Sequence, residues 1–209
     1  LLEADMTGLD RGIEAAMTIV LIIGGYQFYF WAQRQRWFEA RYLETRLDGL
    51  ISYDPRWVWI YSGLYYPMIV LAGWSVPTWR DYALAVGGYL ALLAVQMAFF
   101  LFVPVEIPVS WRLLNRRSWE GSASQRFLDL VWSFDKLRNS MPSMHVSVAT
   151  VTDLTIWRNW PALGHVGVLF PILIAVSALK TKQHYVADVI PGAALGCAVF
   201  WAWGVCVAP

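Results

Sequence analysis

Apolar runs divide this chain at regular intervals. Six stretches approach the roughly 20 mostly apolar residues that a helix needs to cross about 30 Å of hydrocarbon. They are 12–32, 57–77, 81–104, 142–157 extended by a few neighbours, 161–179 and 184–207. The fourth is the weakest, because Asp153 and several Ser and Thr interrupt it. Three connections are substantial or charged: 33–56, 105–141 and 180–183. With six spans, all three fall on one membrane face and both termini on the other. In the first connection Ala40, Leu43, Leu47, Leu50 and Ile51 recur at helical spacing. Arg36, Arg41, Glu44 and Arg46 fill the opposite side, so the pattern predicts an interfacial helix ended at "YDPRW". Phe127, Leu130, Val131 and Phe134 repeat the pattern in the second connection. The expected fold is an all-α integral membrane domain, 1–209, of six transmembrane helices with an interfacial amphipathic helix.

Composition points the same way. The 209 residues are 58% hydrophobic and 15% charged, with 13 Trp, which leaves too little polar surface for a soluble domain. "LLEADMTGLDRG" carries Glu3, Asp5 and Asp10 and no basic leader, so a cleavable signal is not expected. Cys197 and Cys206 lie on one span, roughly 13 Å apart along a helix, too far for a disulfide. Of the 16 Lys and Arg, 13 fall on the long-loop face: five in 33–56, six in 105–141, and Lys180 and Lys182. That asymmetry places the face in the cytoplasm by the positive-inside rule, or else supplies cations for an anionic headgroup or phosphate. "GAALG" at 192–196 is a Gly-x-x-x-Gly, read as close helix packing.

Two apolar segments begin with titratable groups. In "KTKQHYVADVIPGAALG", His184 and Asp188 are four residues apart and share a helix face. The carboxylate can accept a proton from one imidazole nitrogen and leave the other free as nucleophile or base. In "LRNSMPSMHVSVATVTDLTIW", Ser140 or Ser143 can cap a helix whose first turn holds Pro142. Its free N–H groups form an anion site, and His145 stands where it could protonate an oxygen leaving phosphorus. Lys136, Arg138, Lys180 and Lys182 share that face. Together these are the parts for phosphoryl transfer in which cations and N–H donors take the place of a metal ion. No cofactor and no metal are expected, since no carboxylate cluster has Mg²⁺ or Ca²⁺ ligand character. His165, in "LGHVG", has no charged neighbour within a turn and reads as structural.

"MPSMH" at 141–145 resembles the second signature of the type-2 phosphatidic acid phosphatase superfamily, usually Pro-Ser-Gly-His. "HYVAD" at 184–188 resembles the end of the third, with Ser177 at that signature's Ser. The strong match covers about 135–196. The resemblance implies that His184 is the nucleophile forming a phosphohistidine, that Asp188 orients it, and that His145 is the acid on the leaving group. Ser143 and its neighbouring amides would hold phosphate oxygens. The first signature, Lys with Arg-Pro seven residues on, is missing; "VPVEIPVSWR" stands about where it belongs, with Arg112 as a candidate cation. Ala178 replaces the third-signature Arg, and Met144 the second-signature Gly. Arg138 and Lys182, with Lys180, are therefore expected to replace the lost cations. "D-x-x-x-N-x-x-P-S-x-H" from Asp135, which includes Asn139, with "TKQHY", is similar to the branch of bacterial lipid phosphatases, inositol phosphorylceramide synthase and sphingomyelin synthase. The resemblance implies a bacterial inner-membrane enzyme whose partners are the bilayer and a lipid phosphate, not nucleic acid. It leaves three outcomes: a lipid phosphatase, a phosphotransferase to an alcohol acceptor, or a lipid-binding protein without catalysis.

Overall fold

The structure, a computed structural model, describes residues 5–114 and 116–207. Glu3, one of the three acids weighed against a leader, lies outside them. Among the described residues every regular element is helical, and the only β-type contacts are isolated bridges. Helix α1 is Gly8–Ala32, opened by a capping box between Thr7 and Asp10. A short α2, Arg46–Leu50, follows. A 3₁₀ turn, Pro55–Trp57, and a π-helical turn, Trp59–Leu64, lead into α3, Tyr65–Ser75. Helix α4 is Trp79–Phe102, α5 Val109–Leu114 and α6 Ala123–Phe134. Helix α7 is Met144–Asn159, and α8, Pro161–Gly167, and α9, Leu169–Lys180, make one interrupted rod. Helix α10 is Val186–Val207.

Four of these units are long and apolar enough to cross a membrane: α1, α4, the α8–α9 rod and α10, the mark of an integral membrane protein. The two remaining sequence runs are helical as well, but differently built. One is shared between the π turn and α3. The other, α7, is the polar one, and it touches α3, α4, α8, α9 and α10. Its polar side chains are largely satisfied inside the bundle. Thr150 and Thr155 donate to carbonyls of their own helix at 2.8 Å, Ser147 accepts from Gln96 at 2.7 Å, and Thr152 pairs with Tyr89 at 2.8 Å. A helix wrapped by protein on most sides tolerates hydroxyls that lipid would penalise.

The Gly-x-x-x-Gly of α10 lies directly on α7. A Cβ on Gly192 would stand 2.7 Å from the carbonyl oxygen of Ser143, and one on Gly196 would stand 2.6 Å from that of Ser147. Only glycine permits this approach, which brings the start of α10 beside the start of α7.

The connections 33–56, 103–143 and 180–185 are tied to one another. Asp54 N–H donates to the Lys180 carbonyl at 3.0 Å, Ile107 N–H to that of Leu137 at 2.8 Å, and the Tyr185 hydroxyl to that of Glu106 at 2.7 Å. The long interfacial helix expected across Ala40–Ile51 is corrected by the structure. Arg41 is extended, with its N–H on Pro104 and its carbonyl accepting from Glu106 at 2.9 Å, so helix begins only at Arg46 behind the Thr45–Asp48 cap. The amphipathic helix is instead α6, whose Phe127, Leu130, Val131 and Phe134 lie over a cleft beside α1 and α3.

Candidate active site

Helix α10 begins at Val186, so His184 precedes it rather than riding its first turn. The chain before it is not helical. Lys182 has φ 55°, and the Lys182 and Gln183 N–H groups close the end of α9 on Leu179 and Ala178 carbonyls. This tight turn, rather than shared helix periodicity, carries His184 to Asp188. His184 Nδ1 lies 3.4 Å from Asp188 Oδ2. Ser140 sits between them: its hydroxyl donates to Asp188 Oδ2 and is 3.3 Å from His184 Nδ1. The same carboxylate oxygen accepts the Tyr185 N–H at 2.9 Å, capping α10. Asp188 is 0% exposed, so these bonds hold it in one orientation. With Nδ1 facing this cluster, His184 has Nε2 left for chemistry.

His145 lies in the first turn of α7, behind the Ser143 N-cap, whose hydroxyl accepts from Val146 N–H at 3.4 Å. Pro142 stands outside the helix and not in its first turn. The Ser143 N–H donates to the Asp188 carbonyl at 3.1 Å, tying the two histidine segments together. The two rings are 6.2 Å apart, edge to face. His145 packs against two tyrosines, Tyr61, stacked at 4.2 Å, and Tyr65, tilted at 4.7 Å. The Tyr61 hydroxyl is 3.0 Å from His145 Nδ1.

A cleft of about 800 Å³ runs from this point between α1, the π turn with α3, and α6. Its polar end is made by Tyr61, Asp135, His145 and Gln183, and its walls by apolar and aromatic side chains. Ile19, Ile23, Leu130 and Phe134 line it and are also exposed, so it opens on the apolar perimeter of the bundle.

The expected phosphate-binding groups are distributed unevenly. Arg138 donates to Glu106 at 2.8 Å and to the Phe38 carbonyl at 2.7 Å. Lys182 donates to the Asp48 and Ile51 carbonyls at 2.9 and 2.7 Å and lies over the Trp111 ring. Burial pushes its ammonium pKa down, opposed by Asp48 and Glu44. Lys180 donates to Ser52 at 2.9 Å, and Asn139 to the Tyr29 carbonyl at 3.1 Å. The contacts of Arg138, Lys180 and Lys182 brace the surrounding loops. Ser177 donates to Ile174 in its own helix at 2.7 Å, and His165 packs edge-on against Trp157.

Arg112 lies behind the polar end of the cleft, bonded to two of its lining residues. It is 8% exposed, donates to both the Asp135 carboxylate and carbonyl, and reaches Gln183 Oε1 at 3.1 Å, with its guanidinium over Trp132. Among the described residues, Arg112 Nε and Gln183 Nε2 are buried donors without a protein partner. Sequence reasoning named Arg112 as a candidate cation without its partners and gave Ser140 only a capping role. It did not find Tyr61 or Gln183. Gln183 adjoins His184 and Asp135 belongs to the Asp135–His145 pattern, so two of the signals were adjacent; Tyr61 gave none.

No curated protein and no solved structure matches the chain. A family model does, over residues 55–202, a stretch that takes in every group just described from the Tyr61 side to Asp188, and the chain belongs to the PAP2 superfamily.

Proposed function

We propose that this protein is a six-span membrane enzyme that transfers the phosphoryl group of a lipid phosphate ester through a phosphohistidine on His184, without a metal ion. The observation that carries the reading is His145 at the polar end of an apolar cleft that opens on the bundle's perimeter, with the His184 ring 6.2 Å from it. A lipid reaching this cleft from the bilayer would lay its chains against α1 and α3 and its headgroup under α6. His184 Nε2 attacks phosphorus while Asp188, braced by Ser140, holds Nδ1 and balances the charge that develops on the ring. His145 gives its proton to the departing oxygen. The amides at the start of α7 and the unpartnered donors of Arg112 and Gln183 suit phosphate oxygens. Arg112 therefore replaces the missing first-signature cations better than Arg138 or Lys182, because it is bonded to two residues that line the cleft, Asp135 and Gln183, whereas the bonds of Arg138 and Lys182 go to the surrounding loops.

Water as second acceptor makes the protein a phosphatase, the reading we favour; an alcohol on a lipid or headgroup makes it a phosphotransferase, which the similarity of the Asp135–His145 pattern to that branch supports. The test is incubation of purified protein with a panel of lipid phosphates and phosphodiesters, with products identified by mass spectrometry. Free phosphate is expected. A new phospholipid identifies the transferase, and no turnover of any substrate leaves a lipid-binding protein.

A further inference from the structure

The mechanism leaves one contact at the site without a role. Tyr61 and His145 are 84 residues apart in sequence, and the Tyr61 hydroxyl reaches His145 Nδ1 at 3.0 Å. Packing alone would be served by the Tyr61 ring stack, to which the tilted Tyr65 ring adds a second aromatic contact. A phenylalanine would stack equally well. The hydroxyl is the added element, on a residue 3% exposed, where a hydroxyl requires a partner. It is presented by the π turn Trp59–Leu64, and Tyr65 follows in the first turn of α3. π turns recur where side chains are aimed for function.

We propose that Tyr61 is the positioning residue of His145: its hydroxyl oxygen accepts the Nδ1 proton and so reserves Nε2 as the nitrogen that exchanges protons at the reacting phosphate. The proposal rests on the phosphoryl-transfer reading and assigns a residue that reading lacks. The protons balance through both steps. In the first, the His184 Nε2 lone pair forms the N–P bond, the P–O bond to the leaving group breaks, and the His145 imidazolium gives its Nε2 proton to the departing oxygen. The neutral imidazole keeps its Nδ1 proton on Tyr61. In the second, Nε2 takes the proton of the attacking water or alcohol as the new O–P bond forms and the N–P bond breaks. Nδ1 never changes its proton, so one fixed acceptor serves the whole cycle. The arrangement parallels that at His184, where Asp188 and Ser140 hold the corresponding nitrogen.

The test has two arms on Tyr61→Phe, which keeps the stack and removes the hydroxyl. In the first, protein labelled with ¹⁵N-histidine is studied by NMR in detergent, with the His145 signals assigned through His145→Gln. Neutral His145 should carry its proton on Nδ1 in the wild type and move toward Nε2 in Tyr61→Phe. In the second, turnover is compared between didecanoyl phosphatidate, whose leaving alkoxide needs a proton, and 4-nitrophenyl phosphate, whose leaving group does not. The variant should lose roughly tenfold on the lipid, the size of one lost hydrogen bond, and less than about twofold on the aryl ester. A wild-type His145 protonated on Nε2, or equal losses on the two esters, would overturn the assignment and leave Tyr61 a packing residue. A wild type that turns over neither ester would instead count against the phosphoryl-transfer reading, and the NMR arm would still decide whether Tyr61 sets the tautomer.

Discussion

Replacing Arg112 by Met tests where the phosphate is held. Two effects are expected, and the structure allows them to be separated. The catalytic effect is the loss of a cation facing three charged oxygens, typically about 100- to 1000-fold in kcat. The structural effect comes from Asp135, whose carboxylate pairs with Arg112 and would be left without its cation. Breaking a buried ion pair costs about 3–5 kcal/mol. The Asp135 side chain keeps 18% of its surface in contact with solvent, so the lower end, about 3 kcal/mol, applies. A second substitution, Asp135→Asn, removes the uncompensated charge. Thermal unfolding in detergent should show a lowered midpoint in Arg112→Met and recovery of most of it in Arg112→Met/Asp135→Asn. Turnover of phosphatidate should stay at least about 100-fold down in both. Arg112→Lys should fall between, because an ammonium keeps the charge and loses the planar fork that spans Asp135 and Gln183. If the double variant regains stability and also turns over within a few-fold of wild type, Arg112 is only the counter-ion of Asp135. The phosphate would then be held elsewhere, and Arg138 and Lys182 would return as candidates.

Three further outcomes follow from the same geometry. His184→Ala should abolish a radiolabelled phosphoenzyme trapped by acid quench, whereas Asp188→Asn should still form one slowly, with turnover cut by orders of magnitude; a labelled intermediate in His184→Ala would disprove the nucleophile assignment. EDTA should leave activity intact and vanadate should inhibit, because guanidinium and amide donors are proposed to do the charge stabilisation; loss in EDTA restored by Mg²⁺ would contradict it. Gly196→Ala should lower the unfolding midpoint by an amount equivalent to about 1–3 kcal/mol, since its Cβ would meet the Ser147 carbonyl oxygen at 2.6 Å and backbone cannot rotate aside; an unchanged midpoint would mean that α7 and α10 are less tightly apposed.

What could be read from the sequence is what is encoded locally. The apolar runs, the Ser143 cap and the two histidine segments each lie within a few turns of chain, and the Gly-x-x-x-Gly announces its own packing. What it does not contain arises where a distant segment decides. Amphipathic spacing across 40–51 is real, yet Arg41 is extended because its backbone pairs with 104–106, a contact no periodicity contains. Arg138 stands seven residues before His145, and its bond to Glu106, 32 residues upstream, is likewise invisible in the local sequence. Arg112 is 71 residues from Gln183 and Tyr61 is 84 from His145, and both contacts are made only through the fold. The weakness of the fourth apolar run has the same origin. Hydropathy scores a helix against lipid, but α7 is enclosed by five neighbouring helices, so its Ser and Thr find hydroxyl, amide and carbonyl partners there. That enclosure is also what the proposed chemistry needs. A proton-transferring histidine and a charged phosphate are best served by the most polar helix, surrounded by protein, with an apolar cleft leading from its first turn to the bundle's perimeter. The feature that made 142–157 a poor transmembrane candidate is therefore a reason to look for the reaction at its first turn.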